Sequence, residues 1–128
     1  MAFRTYVKGA RAERELIHYF TLKGFAVIRA AGSGVNSLSP DLLAFRQGRQ
    51  YAIECKAWDS GSLSFDKQRV AQMKSWAETT GITYLIGWRV SREGWLFFPL
   101  HFLEEKGKNF TITLTRARLA GQKLEELV

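Results

Sequence analysis

The chain has 128 residues, of which 46% are hydrophobic and 24% charged, as is typical of one globular domain. No apolar run approaches the ~20 residues of a membrane span. The single cysteine, Cys55, excludes a disulfide scaffold and a Cys-rich zinc module. The N-terminus lacks the apolar segment of a signal peptide, so we expect a cytoplasmic protein with no membrane partner. We expect one domain over residues 1–128.

The charge of the chain favours a polyanionic partner. The net charge is +7, and nucleic acid is the commonest partner of such a basic surface. Residues 1–34 hold six Lys and Arg against two Glu, so the positive charge is concentrated at the N-terminal end.

The predicted elements alternate between helices and strands. Hydrophobic periodicity and turn signals predict a helix over 9–23, strands over 25–30, 42–45 and 50–56, a helix over 66–79, strands over 83–90, 95–98 and 110–114, and a terminal helix over 116–127. Residues 32–40 and 57–64 are predicted Gly/Ser-rich loops, and residues 101–106 a short helical turn. This order predicts a mixed α/β fold with a sheet flanked by helices.

The predicted hairpin over residues 42–56 brings two carboxylates together. A two-residue turn at Gln47-Gly48 would place Asp41 directly opposite Glu54, on the same face of the sheet. Lys56, two residues after Glu54, leaves the strand on that face as well. Opposed like charges destabilise a sheet unless something offsets their repulsion. Mg²⁺ would do so, because one or two carboxylates, with waters and phosphate oxygens, commonly hold it.

The alternative is a solvated face on which these three side chains form a surface salt bridge. The neighbouring residues argue against it. Segments 42–45 and 51–53 are apolar on both faces, as in strands buried on two sides. Charges in such strands are costly unless they are paired or bound.

The first predicted helix contributes a third carboxylate. Glu13, Leu16, Ile17 and Phe20 share one helix face, so Glu13 extends the apolar stripe towards the interior. The functional interpretation is an acid aimed into the same cluster. The alternative is that Glu13 is simply a glutamate near the start of the helix, where the helix macrodipole stabilises it.

These residues resemble a known nuclease pattern. Pro40-Asp41 followed by Glu54-Cys55-Lys56 matches the PD-(D/E)xK nuclease superfamily. Segments 8–16 and 24–34, and Trp95 with Phe97 after a hydrophobic strand, resemble the archaeal-type Holliday junction resolvases (the Hjc/Hje family). The resemblance covers most of residues 6–100. It implies a restriction-endonuclease-like mixed β-sheet flanked by α-helices.

The function that the resemblance implies is a homodimeric, Mg²⁺-dependent endonuclease of DNA recombination and repair. It would resolve four-way DNA junctions by paired symmetric nicks, and Mn²⁺ is the alternative cofactor. The resemblance assigns metal binding to Glu13, Asp41 and Glu54, and assigns to Lys56 the positioning or activation of the attacking water. Ser33 would be the active-site loop serine, and Ser37 and Ser39 are alternatives to it.

Basic residues of the N-terminal segment are candidates for DNA contact. The resemblance implicates Arg14 and Arg29, and we add Arg4, Lys8 and Arg11 because they flank Glu13 in the sequence. The alternative for the last three is a solvated charged face.

Two other functions remain open from the sequence. One is a restriction or repair nuclease of the same superfamily that acts on duplex or flap DNA. The other is a non-catalytic DNA-binding module that uses the basic N-terminal face. The combination of Asp41, Glu54 and Lys56 argues against the binding module, since a mere binder gains nothing from carboxylates facing phosphate. A sliding clamp or a helicase is a conceivable partner, but we find no motif for either.

Overall fold

The computed structural model describes residues 2–30 and 39–128, with side chains from Lys8 onwards. The elements are α1 (Ala2–Leu22), β1 (Ala26–Arg29), β2 (Leu42–Arg46), β3 (Arg49–Ala57), β4 (Ser62–Asp66), α2 (Lys67–Thr80), β5 (Thr83–Val90), β6 (Gly94–Pro99), β7 (Glu104–Lys106), β8 (Asn109–Thr113) and α3 (Leu114–Ala120). Short 3₁₀ helices cover Leu100–Phe102 and Leu124–Leu127. No helix in the described part is long and apolar enough to cross a membrane.

A five-stranded mixed sheet organises the chain. Its strand order is β1-β2-β3-β5-β6, and only β3 and β5 run parallel. A parallel pair requires a crossover, and the segment through β4 and α2 provides it. The predicted α/β class, a mixed sheet flanked by helices, is confirmed.

The core forms one layer on each face of this sheet. On the α1 face, Leu16 and Phe20 pack with Ile53 of β3. On the α2 face, Val70 and Met73 pack with Ala52, the residue before Ile53. Full burial of each large apolar side chain contributes ~1.5–3 kcal/mol. The alternation along β3 therefore decides which helix each of its side chains meets.

A second sheet was not predicted. Strand β4 begins inside the expected loop 57–64 and extends past its end. It belongs to a three-stranded sheet with the strand order β4-β8-β7. Leu63 and Phe65 are buried while Ser64 is exposed, so the segment alternates as a strand despite its Gly/Ser composition. The predicted helical turn over 101–106 was wrong in its second half, because Glu104–Lys106 pairs with β8.

The terminal helix was predicted too long and the first helix too short. The chain leaves α3 at Gly121 and forms a β-bridge from Gln122 to Phe97. A Cβ on Gly121 would lie 2.4 Å from the carbonyl oxygen of Ala117, so the chain can approach this closely only at a glycine. At the other end, α1 begins seven residues before the predicted start at residue 9.

The packing of β5 against β6 yields a stability prediction. A Cβ at Gly87 would lie 2.8 Å from Cε1 of Phe97 and 3.2 Å from Cγ2 of Ile53, both in the core. We expect Gly87→Ala to lower the free energy of unfolding by about 1–3 kcal/mol through overpacking. Urea denaturation measures it. Gly61→Ala is the matched control, because a Cβ there meets nothing within 4 Å and changes stability by less than about 0.5 kcal/mol. Equal effects of the two substitutions would contradict this account.

Candidate active site

The predicted hairpin register is confirmed. Leu42 pairs with Ile53 and Arg46 with Arg49, so Asp41 lies one step further out, across from Glu54. The Cys55 backbone N–H donates to Oδ2 of Asp41 at 2.8 Å. The Ala30 N–H donates to the Asp41 carbonyl oxygen at 3.0 Å. These two bonds fix both the backbone and the side chain of Asp41 at the start of β2.

Glu54 is the one charged side chain that the described part of the chain buries, with 8% of the side chain exposed. It leaves β3 on the α2 face. Burial raises the pKa of Glu54, and the negative charge of Asp41 raises it further. Arg69 and Lys56 act in the opposite direction. The carboxyl therefore carries a cost when it is ionised, and nearby cations reduce that cost.

Sequence reasoning missed Arg69, the ion-pair partner of Glu54. Its Nη2 donates to Oε1 of Glu54 at 2.7 Å, and only a fifth of its side chain is exposed. Asp66 caps α2 and accepts the Arg69 N–H at 2.7 Å. A signal was present, because Arg69 directly precedes Val70 in the predicted apolar stripe of this helix. It therefore stands at the edge of the buried face.

Lys56 lies on the same face as Glu54 and is exposed. Its Nζ lies 5.7 Å from the centre of the Phe65 ring, in β4. A cation over an aromatic face gains ~0.5–1 kcal/mol at an exposed site. The unpredicted second sheet therefore supplies a contact for the lysine of the nuclease pattern.

Tyr84 is a further residue that the sequence did not single out. It lies in β5 opposite Ala52, two residues from Glu54, and is 5% exposed. Its hydroxyl has no hydrogen-bond partner among the described residues. Burial raises the pKa of Tyr84, and the charge of Glu54 adds to this effect. A buried hydroxyl therefore faces the same cluster.

Glu13 lies on the other side of the sheet. It is largely buried, as its helix position predicts, and Arg29 Nε donates to it at 2.5 Å. Its charge acts on Cys55, whose side chain packs in the α1 layer. The described residues contain no group of three or more His, Cys, Asp or Glu that could hold a metal ion. The role of Glu13 as a third ligand stays a prediction.

The loop serines divide between described and undescribed residues. Ser33 and Ser37 lie outside the described residues, so their assignment stays a prediction. Ser39 is described and exposed, and its carbonyl oxygen lies 3.4 Å from Nη2 of Arg69, which is long for a hydrogen bond. The arginine that pairs with Glu54 thus also reaches the end of this loop.

The basic residues predicted to contact DNA differ in their surroundings. Arg11 and Arg14 are exposed on α1. Lys8 forms an ion pair with Asp59, and Arg29 forms the ion pair with Glu13. Arg4 belongs to α1, but its side chain lies outside the described part. Their role in DNA contact stays a prediction.

Asp41 and Glu54 fit the chemistry of a divalent metal ion. Each uses one oxygen in the bonds above, Oδ2 to Cys55 and Oε1 to Arg69. Within the described part, the second oxygen of each has no hydrogen bond. Two hard oxygen donors beside a cationic lysine form a site of the type that Mg²⁺ or Mn²⁺ occupies.

Comparisons with known proteins agree with this geometry. The family model described as archaeal Holliday junction resolvase (Hjc) matches residues 4–128. The crossover junction endodeoxyribonuclease Hjc of Archaeoglobus fulgidus is 37% identical, with 93% of each chain covered. That of Methanocaldococcus jannaschii is 35% identical, covering 84% of this chain and 77% of the relative.

Solved structures show the same fold. The structure of Archaeoglobus fulgidus Hjc, a Holliday junction resolvase from an archaeal hyperthermophile, superposes with a TM-score of 0.81 at 33% identity, covering 93% of each chain. A bacterial homing endonuclease superposes with a TM-score of 0.54 at 17% identity, covering 96% of this chain and 86% of the other. The second likeness concerns the fold alone.

The buried carboxyl yields a pH prediction. The pKa of Glu54 is higher in the folded chain than in the unfolded chain, where it is ~4.3. As the pH rises from the unfolded pKa through the folded pKa, ionisation of Glu54 therefore lowers the free energy of unfolding. We expect Glu54→Gln to be at least as stable as the wild type at pH 8, with the two converging near pH 4. Urea midpoints from pH 4 to 8, measured with a chelator, test this.

The control is Glu104→Gln, which changes an exposed glutamate of β7 and leaves the midpoints unchanged. A marked loss of stability in Glu54→Gln at pH 8 would contradict the prediction. It would mean that the ion pair with Arg69 outweighs the burial of the charge.

Proposed function

The chain belongs to the archaeal Holliday junction resolvase (Hjc) family, and we propose that it resolves four-way DNA junctions by metal-assisted hydrolysis of one phosphodiester bond in each of two strands. The observation that carries the proposal is Asp41 across from the buried Glu54, with Lys56 two residues further along β3. Membership of a family of junction endonucleases supports the four-way junction as the substrate. The residues of this site support metal-assisted hydrolysis as the reaction.

Asp41 and Glu54 would hold Mg²⁺, with Mn²⁺ as the alternative. A metal ion held by these carboxylates would supply an acidified water and would offset the charge that develops on the phosphate and the leaving oxygen. Asp41 is preorganised for this role because the Cys55 N–H fixes its side chain. Glu54 is held in one orientation by Arg69. Little reorganisation is then needed at the moment of reaction.

Lys56 would stabilise the attacking hydroxide. Its ammonium group lies on the Glu54 face and is exposed, so a water beside the carboxylates can reach it. The cation–π contact with Phe65 limits the directions in which the side chain extends. A cation in this position favours hydroxide over water.

Glu13 would join the site only after a change of partner. It is bound to Arg29, whose side chain is 62% exposed on the edge strand β1. A DNA phosphate competes well for an arginine, since guanidinium binds phosphate with paired, charge-assisted hydrogen bonds. We infer that DNA binding draws Arg29 from Glu13 and so frees the third carboxylate.

The first test compares a labelled four-way junction with a linear duplex of matching sequence, with Mg²⁺ or a chelator. We expect paired nicks in the junction alone, in the presence of metal. Glu54→Ala and Asp41→Asn should each slow cleavage at least ~100-fold, because each removes charge stabilisation worth several kcal/mol. Glu104→Gln is the control and should cut at the wild-type rate.

Three outcomes would contradict this proposal in different ways. Equal cutting of the duplex would support a restriction or repair nuclease of the same superfamily. Tight, salt-sensitive binding without cutting would support the non-catalytic binding module. Cleavage that survives Asp41→Asn unchanged would show that the carboxylates are not the metal site.

We also propose that two copies associate through the outer face of α2. Residues of this face line a shallow groove without charged side chains: Gln68, Ala71, Gln72, Ser75, Trp76, Thr79 and Thr80. In a chain with a net charge of +7, an uncharged face is where a second copy approaches with least repulsion. A two-fold dimer suits a junction with paired cleavage sites, because it presents two identical active sites.

Ala71→Arg tests this interface. It places a charge on each side of a two-fold contact, so we expect the dimer to dissociate at least ~10-fold more readily, as two like charges without partners cost over ~1.4 kcal/mol. Sedimentation equilibrium measures it. Leu119→Arg, on an 84% exposed leucine of α3, is the matched control. Dissociation by the control alone would place the interface on α3, and a monomeric wild type would contradict dimerisation.

A further inference from the structure

A basic cleft lies beside the candidate active site. It has a volume of about 210 Å³ between α1 and the turn that joins β5 to β6. Its lining includes Lys8 and Arg11 of α1, Ala57 at the end of β3, and Arg89 and Arg92 near the turn. Since one water occupies about 30 Å³ in the liquid, a phosphate group with bridging waters fits this space.

Two sets of polar contacts build the walls of this cleft. On one wall, Glu15 accepts from Nε of Arg89 at 2.9 Å and from the Trp95 indole at 2.7 Å. On the other, Asp59 accepts from the Ser91 N–H at 2.8 Å and from the Ser91 hydroxyl at 2.6 Å, and also pairs with Lys8. These contacts tie α1 to the β5–β6 turn and give the cleft a fixed shape.

The two acids of the cleft are already engaged. Bonds from Lys8 and then Ser91 hold the pKa of Asp59 well below its usual range, and Arg89 lowers the pKa of Glu15. Both are therefore ionised and bound to the cations next to them. They are not available to neutralise the remaining basic side chains.

Arg11 and Arg92 are those remaining side chains. Both are exposed, and neither has an ion pair or hydrogen bond from its side chain to another described residue. Arg92 has a φ of 68°, and no other described non-glycine residue has a positive φ. Left-handed backbone costs roughly 1–2 kcal/mol for such a residue. The turn thus keeps a guanidinium at the cleft rim at a cost in stability.

The cleft lies along β3 from the carboxylates. Ala57 follows Glu54 by three residues, which is about 10 Å in a strand, and its side chain lies on the α1 face, opposite to that of Glu54. On α1, Arg11 and Glu15 line the cleft, whereas Glu13 lies on a different face of the helix.

We propose that this cleft is a second phosphate site, in which Arg11 and Arg92 bind a DNA backbone phosphate other than the phosphate that is cut. The site holds one arm of the junction beside the end of β3. It rests on the proposed junction-cleaving function. The sequence predicts that Lys8 contacts DNA. In this proposal its ammonium group instead stabilises the cleft through the ion pair with Asp59.

The test compares two double variants of equal charge loss. Arg11→Gln/Arg92→Gln removes the free cations of the cleft, and Lys106→Gln/Lys108→Gln removes two exposed lysines of the β7–β8 turn. Junction affinity is measured from 50 to 300 mM salt. The cleft variant should bind on the order of 10-fold more weakly near 0.15 M salt. Its slope of log affinity against log salt should fall by about 0.9, for the one phosphate contact that it loses. The control should change affinity less than about twofold, since distant charges are screened.

Neutral phosphates locate the contact on the DNA. A methylphosphonate is placed in turn at each of the first five positions from the cut. At one of these positions the neutral group should weaken wild-type binding and have no further effect in the cleft variant.

Each outcome bears on one proposal. Equal salt slopes for the two double variants would overturn the cleft site while leaving junction cleavage intact. A wild type that neither binds nor cuts junctions would overturn the proposed function itself. Arg92→Gly with Arg11→Gln guards against misfolding, because glycine keeps the left-handed turn and removes the cation. If this variant binds as the wild type does, the proposal is also overturned.

Discussion

A carboxylate buried in the central sheet constrains most of what surrounds it. Glu54 lies in β3 with strands on both sides, and its charge is disfavoured there by burial and by Asp41. Such a charge persists only with a cation in reach. Arg69 is that cation, and the Asp66 cap fixes the helix turn that carries it. The position of α2, and with it the core layer between α2 and the sheet, therefore depends on the ion pair between Arg69 and Glu54.

The parts of the site that local geometry determines could be predicted. A tight turn at Gln47-Gly48 sets the hairpin register, and the register alone places Asp41 across from Glu54. Arg69 could not be placed in this way, because its contact with Glu54 depends on how α2 lies across the sheet. Strand β4 was not predicted for the same reason, because its partner β8 lies far along the chain. Periodicity shows that Glu13 faces inwards, and the pairing with Arg29 is again a long-range result.

The alternation of β3 also explains why the predicted three-carboxylate cluster is divided. Successive side chains of a strand point to opposite faces, so Glu54 meets α2 while Cys55 meets the α1 layer with Glu13. Asp41 is placed between them, since its carboxylate accepts from the backbone of Cys55 and its charge acts on Glu54. A site that includes both Glu54 and Glu13 has to form at the ends of the strands, where Asp41 precedes β2. In the proposed mechanism, the release of Glu13 from Arg29 is the step that substrate binding supplies.

Ion pairing decides which of the many basic residues remain free for DNA. The sequence shows where positive charge is concentrated, but an exposed Lys or Arg beside an acid is already neutralised. Lys8 and Arg89 each have such an acid. Arg29 has Glu13, which a DNA phosphate has to displace in the proposed mechanism. Arg11 and Arg92 have no such acid among the described residues, and the contacts of Asp59 and Glu15 hold the surface between them rigid. A rigid surface loses little conformational entropy when it binds, so two free guanidinium groups on it select a phosphate position more sharply than a larger number of mobile lysines.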